Sequence, residues 1–175
     1  MAAPTLLQLD GISVTYPGAV AAVEGVSLSV AEGEVHGLVG ESGSGKTSIA
    51  SAILGMLAPS ALTSGSIGFM GHELLHLSDR QRRDIRGRLI AFIPQNPMSA
   101  LNPVLTVGYQ LVETIRVHGN ATRREAEVLA ADMLRQVGLP DPARALRRYP
   151  HEFSGGTAQR ILIAIALVNG PRLVV

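Results

Sequence analysis

Gly40-Glu41-Ser42-Gly43-Ser44-Gly45-Lys46-Thr47 matches G-x-x-x-x-G-K-[ST] without deviation, and few short patterns restrict a chain's fold as tightly. The match follows the apolar run Val35-His36-Gly37-Leu38-Val39 and precedes a helix-compatible run from Thr47 to Leu57, so it reads as strand, loop and helix. Its three glycines let the backbone turn with N–H groups pointing inward, at the positive end of the following helix, where a phosphate group fits. In such a loop Gly40, Glu41, Ser42, Gly43, Ser44 and Gly45 surround the β-phosphate and Lys46 reaches the β- and γ-oxygens. Thr47 offers its hydroxyl to Mg²⁺, and Ser48 is a further donor near the α-phosphate. A glycine-rich turn of structural value alone is the competing reading, and the Lys-Thr pair after a strand argues against it. His36, inside the expected buried strand, reads as a hydrogen-bonded core residue rather than a ligand.

The chain of 175 residues, 46% hydrophobic, is long enough for one domain with a real core. Fifteen Lys and Arg against fourteen Asp and Glu leave a net charge of +1, which offers no electrostatic footprint for nucleic acid. Without cysteine there are no disulfides or thiolate metal sites, and a reducing compartment suits the chain. The first residues lack the basic and apolar regions of a secretion signal, and the apolar run 161–168 is too short to span a bilayer. These features predict a cytoplasmic protein that meets a membrane only through a partner.

Short strands are expected at Leu6 to Asp10, Ile12 to Tyr16 and Val26 to Val30, with a turn at Tyr16-Pro17-Gly18. A further strand is expected at Ser66 to Met70, an Arg-rich helix over 73–88, and an apolar strand from Leu89 to Ile93 closed by Pro94. Helical patterns then cover Val107 to His118 and Thr122 to Val137, the second opened by a Thr122/Glu125 capping box and closed by Gly138-Leu139-Pro140. A helix from Gly156 to Val168 stops at Asn169-Gly170-Pro171, and Leu173-Val174-Val175 opens another buried strand. The expected fold class is α/β: a P-loop core with an N-terminal antiparallel β subdomain and an inserted helical subdomain. Its divisions are residues 1–94, 95–153 and 154–175.

The phosphate loop together with Tyr149-Pro150-His151-Glu152-Phe153-Ser154-Gly155-Gly156-Thr157-Ala158-Gln159-Arg160 closely resembles the ATP-binding subunits of ABC transporters. Within these it resembles the branch that powers dipeptide, oligopeptide and nickel importers, and Ile93 to Pro103 looks like that branch's segment around the Q-loop glutamine. Ser154-Gly155-Gly156 also has a physical reading of its own, since amides and a hydroxyl at a helix start form an anion site. The resemblance implies ATP and Mg²⁺ as cofactors, with Ser154, Gly155 and Gly156 gripping the γ-phosphate held by a second ATP-binding subunit. That arrangement is a head-to-tail homodimer or heterodimer. It further implies that Gln95 touches Mg²⁺ and the attacking water and that Tyr16 stacks on adenine. The implied partners are integral membrane permease subunits and, indirectly, an extracytoplasmic solute-binding protein; the implied location is the inner face of the cell membrane. Pro94 replaces the family's usual aromatic, and Thr157 stands where glutamine is most common, with Gln159 two positions on.

The family pattern continues past such a run into Walker B carboxylates, a D-loop and a switch histidine. None follows Val175, so the chain is expected to stop before Walker B, keeping the binding half of the machine and leaving hydrolysis by this chain alone open. A nucleotide-binding remnant and a soluble non-transport ABC ATPase are the alternatives; the single short helical insertion argues against the second. His72-Glu73-Leu74-Leu75-His76 matches the zinc motif H-E-x-x-H literally, yet starts directly after a strand and glycine instead of inside a helix. Arg80, Arg82, Arg83, Arg86 and Arg88 read as a solvated helix face.

Overall fold

The structure, a computed structural model, describes residues 3–18 and 21–175. It divides into two compact units, 1–82 and 83–175. In the first, β1 (Thr5–Thr15) and β2 (Val23–Ala31) form an antiparallel pair, α1 (Lys46–Ile53) follows the phosphate loop, and β3 (Leu62–Phe69) and β4 (His72–Glu73) complete a sheet of order β2-β1-β3-β4. Where two strands were expected, β1 is continuous. Beyond Leu6, buried at its start, the buried residues of β1 fall at Leu7 and Leu9 and again at Ile12 and Val14, so the inward-facing period of two slips by one residue between the two pairs. The slip is a bulge: Gly11 takes φ 58°, and its N–H, released from the ladder, donates to Ser27 Oγ at 2.9 Å.

Residues 35–39 form no strand, against expectation, and Val35 and Val39 are 98% and 93% exposed. An apolar run becomes a strand only when a neighbour takes up its N–H and C=O groups, and among the described residues none does so for this run. His36 is accordingly an exposed residue with Nδ1 3.1 Å from Glu34 Oε1, and not a core histidine.

The expected helix over 73–88 is confined to α2 (Asp79–Ile85). Residues before it turn instead, because the Glu73 carboxylate accepts from Ile67 N at 3.0 Å and Leu75 N at 2.9 Å. Ser78 and Gln81 then make a reciprocal cap, Ser78 N donating to Gln81 Oε1 at 3.0 Å and Gln81 N to Ser78 Oγ at 3.4 Å. The H-E-x-x-H match therefore lies across β4 and a turn, where its two histidines lack the shared helical face the zinc motif requires. Arg82 also departs from the solvated face: half-buried, it donates to the carbonyls of Leu77, Gly55 and Leu75.

In the second unit β5 (Ile90–Ala91) pairs in parallel with β6 (Leu173–Val174), and between them lie α3 (Pro97–Ala100), α4 (Val107–His118), α5 (Arg123–Gln136), α6 (Pro142–Leu146) and α7 (Gly155–Leu167). The strand at 173–175 forms as expected but is not buried, with Val174 43% exposed; among the described residues β5 is its one partner. Both α4 and α5 start where their caps dictate. Thr106 Oγ1 accepts from Tyr109 N, and Thr122 and Glu125 form the full capping box. One core joins α4 (Val107, Leu111, Val112, Ile115), α5 (Ala126, Ala130, Leu134) and α7 (Ala158, Ile161, Leu162). Alanines at two of the three fully buried positions of α5, Ala126 and Ala130, let the helix backbones approach closely. Asn169 Nδ2 ties the end of α7 to Gly87 O at 3.0 Å and to Thr114 O at 3.1 Å. Among the described residues no helix is long and apolar enough to cross a membrane.

Candidate functional site

The phosphate loop of the first unit is shaped by two crowded glycines. Gly45 takes φ 85° as the residue before α1, and a Cβ there would lie 2.3 Å from Ala22 O and 2.9 Å from Val23 Cγ2. A Cβ on Gly40 would meet Ser44 Oγ at 2.5 Å. Lys46 Nζ folds back into this loop and donates to Gly40 O at 2.8 Å, Glu41 O at 2.6 Å and Ser44 Oγ at 3.3 Å. The ammonium is thereby fixed among backbone atoms at the head of α1. That helix has no side-chain cap and no acidic residue in its first turn, so its leading N–H groups and its dipole favour an anion.

Tyr16, the aromatic far earlier in the chain, is brought to the same place: its hydroxyl is 3.3 Å from Ser48 Oγ on α1. Thr47, in the first turn, is exposed. No group of three or more His, Cys, Asp or Glu among the described residues could hold a metal unaided. This donor set fits a Mg²⁺ that takes most of its oxygens from phosphate and water, which is its habit.

In the second unit Gln95 lies exposed in a bend between β5 and Asn96, the residue that caps α3, and α3 packs against α7. Ser154 is the N-cap of α7; its Oγ accepts from Thr157 N at 3.4 Å and lies 3.0 Å from Thr157 Oγ1. Gly155 and Gly156 are exposed, and a Cβ on either would meet nothing within 4 Å. Bare glycines with open space in front of them leave the α7 start free for close backbone approach by a ligand. The unit also has a cleft of about 590 Å³ lined by Tyr109, Val112, Glu113 and Arg147, which contains none of the sequence-predicted site residues.

Arg148 carries no motif and sequence reasoning missed it. Its Nε is 3.3 Å from Glu152 Oε1, its Nη2 donates to Glu152 O, and its guanidinium carbon sits 4.5 Å from the Phe153 ring centroid. The spacing of four between Arg148 and Glu152 was the available signal. The Glu152 carboxyl is held below the usual carboxylate range, first by the bond it accepts from Tyr149 N and further by Arg148.

The ABC transporter family model matches residues 23–175. The dipeptide transport ATP-binding protein DppD of Escherichia coli is 42% identical over 97% of this chain and 53% of its own length. The oligopeptide transport ATP-binding protein OppD of the same organism is 40% identical over 99% of this chain and 52% of its own length. The chain thus spans about half the length of these curated relatives. Among solved structures, a dimeric post-hydrolysis state of the ATP-binding cassette MJ0796 bound to ADP and Pi superposes with a TM-score of 0.83. It is 26% identical, and the match covers 97% of this chain and 72% of that one. An α/β chain with this phosphate loop, this antiparallel sheet and this helical segment belongs to the ABC transporter family.

Proposed function

We propose that the chain is the nucleotide-binding part of an ATP-binding subunit that couples ATP binding and hydrolysis to peptide import through a membrane permease. The observation that carries this reading is the placement of the Lys46 ammonium inside a loop that closes on α1 through Gly45, where a side chain would strike the Ala22 backbone. A polyphosphate entering the loop takes over the bonds that Lys46 makes to Gly40 O and Glu41 O, and the α1 amides receive the remaining oxygens. Bound Mg-ATP supplies the phosphoanhydride whose γ-phosphoryl group can pass to water. Thr47 holds the metal's protein-side ligand position, and Tyr16, fixed against Ser48, presents an aromatic face to the base.

Ser154, Gly155 and Gly156 bind the γ-phosphate presented by a second ATP-binding subunit in a head-to-tail dimer; the open α7 start and the dimeric cassette with similar fold support this. Gln95 orients water and metal, and its place just before α3, which packs on α7, would let movement of the helical segment reach it. The relatives named for dipeptide and oligopeptide transport support a peptide cargo, with a solute-binding protein delivering it outside the membrane. The chain then works at the cytoplasmic face, held there by the permease.

Calorimetric titration with Mg-ATP tests the reading. The wild-type chain is expected to bind saturably, and Lys46→Ala to lose roughly 100-fold or more in affinity, the size of losing two charge-assisted phosphate bonds. Unchanged affinity in a Lys46→Ala variant with native circular dichroism would refute the loop as the site.

A further inference from the structure

We infer that Arg148 is a positioning residue for the Ser154-Gly155-Gly156 helix start, setting the direction in which the chain enters α7. The inference deepens the proposed function and, for its dimer arm, rests on it.

The start of α7 has little packing of its own on the side where a ligand would arrive, because Ser154, Gly155 and Gly156 are exposed and nothing lies near the glycines. Its orientation must come from Ala158 and the core beyond, and from the segment that leads in. That segment is a single turn of 3₁₀ helix, Pro150–Glu152, followed by Phe153. Arg148 grips it at three points with one planar group: the Glu152 carboxylate, the Glu152 carbonyl and the Phe153 ring face. Glu152 closes the turn from the other side, its Oε2 accepting from Tyr149 N at 2.7 Å. The Arg148 backbone is itself fixed, its carbonyl accepting from Val107 N, the first residue of α4, at 2.9 Å. The guanidinium therefore acts from an anchored base on the two residues immediately before Ser154.

As an ion pair alone this arrangement would matter little, since the Arg148 and Glu152 side chains are 34% and 38% exposed. Its consequence is directional. The carbonyl of Glu152 and the plane of Phe153 are fixed together, and with them the extended geometry of Ser154, φ −68° and ψ 158°, that caps the helix. Lysine keeps the charge but has neither the fork nor the planar face needed to hold carboxylate, carbonyl and ring at once.

The test compares the full chain with Arg148→Ala and Arg148→Lys by amide hydrogen exchange and by sedimentation with and without Mg-ATP. Both variants are expected to exchange about tenfold faster at the Phe153 and Thr157 amides, which are bonded to Pro150 O and Ser154 Oγ, while α5 amides keep their wild-type rates. Both are expected to weaken Mg-ATP-dependent self-association at least about tenfold, with lysine giving no rescue. Wild-type exchange at the Phe153 and Thr157 amides in Arg148→Ala, or full recovery in Arg148→Lys, overturns the inference. If Arg148→Ala raises exchange throughout the unit, Arg148→Lys decides on the same local criterion. A wild-type chain that binds Mg-ATP but never self-associates counts against the dimer reading alone, and the exchange comparison still judges the role of Arg148.

Discussion

Gly43 and Gly45 offer a controlled comparison within one loop. Their φ angles are 83° and 85°, so replacing either by alanine imposes the same left-handed conformation on a residue with a Cβ, at a cost of about 1–2 kcal/mol. Their surroundings differ. A Cβ on Gly43 meets nothing within 4 Å, whereas one on Gly45 would stand 2.3 Å from the backbone oxygen of Ala22 and 2.9 Å from Val23 Cγ2. The Ala22 carbonyl cannot swing aside like a flexible side-chain tip, because the Ala22 N–H is bonded to Val14 O at 2.8 Å and Val23 is already in β2. Gly45→Ala therefore adds an overpacking cost of about 1–3 kcal/mol to the conformational one. Urea denaturation followed by circular dichroism should place Gly45→Ala below Gly43→Ala by that difference, at an unchanged slope. Mg-ATP affinity should fall further in Gly45→Ala, because relieving the clash moves the head of α1. Equal midpoints for the two variants, or a more damaging Gly43→Ala, would refute the argument that contact between the loop and β2 shapes the site.

Two further outcomes concern the second unit. Thr122→Ala removes the hydroxyl half of the α5 capping box and should cost about 1 kcal/mol, read as a lower urea midpoint with faster exchange confined to the first turn. His118 has its pKa lowered by burial first and then by Arg88, with Asp84 opposing, and its Nε2 lies 2.7 Å from where a Gly87 Cβ would be. The folded state thus binds the proton less readily than the unfolded one, so this contribution to stability is complete above the unfolded value near 6.5 and is lost as pH falls below it. Urea midpoints measured at about pH 7.5 and about pH 5.5 should differ more in the wild type than in His118→Gln. An equal difference in both would remove His118 from the pH response.

What the sequence showed well was whatever the chain decides locally. The phosphate loop is backbone geometry written in glycines. The α4 bounds coincide with expectation, and α5 begins after Thr122 because a Thr and a Glu three residues apart satisfy the first amides whatever lies around them. The misreadings have two sources, a missing distant neighbour and an overlooked local cap. Residues 35–39 have strand composition, yet composition cannot supply the neighbour that makes an extended run a strand. The Arg-rich helix expected over 73–88 began too early, because Glu73 spends its carboxylate on the Ile67 and Leu75 amides and forces a turn. Ser78 and Gln81, read as a capping box, would have moved the start of α2 to Asp79. The same division runs through the site. Lys46 and Ser154 announce themselves through motifs, but the contact of Tyr16 with Ser48 spans 32 residues, and the grip of Arg148 on Phe153 is a ring-face contact that no spacing rule predicts. Residues that meet a ligand are constrained by its chemistry and so repeat as patterns; residues that aim them are constrained by this fold's own geometry. The second kind becomes visible only when atoms far apart in the chain are set side by side.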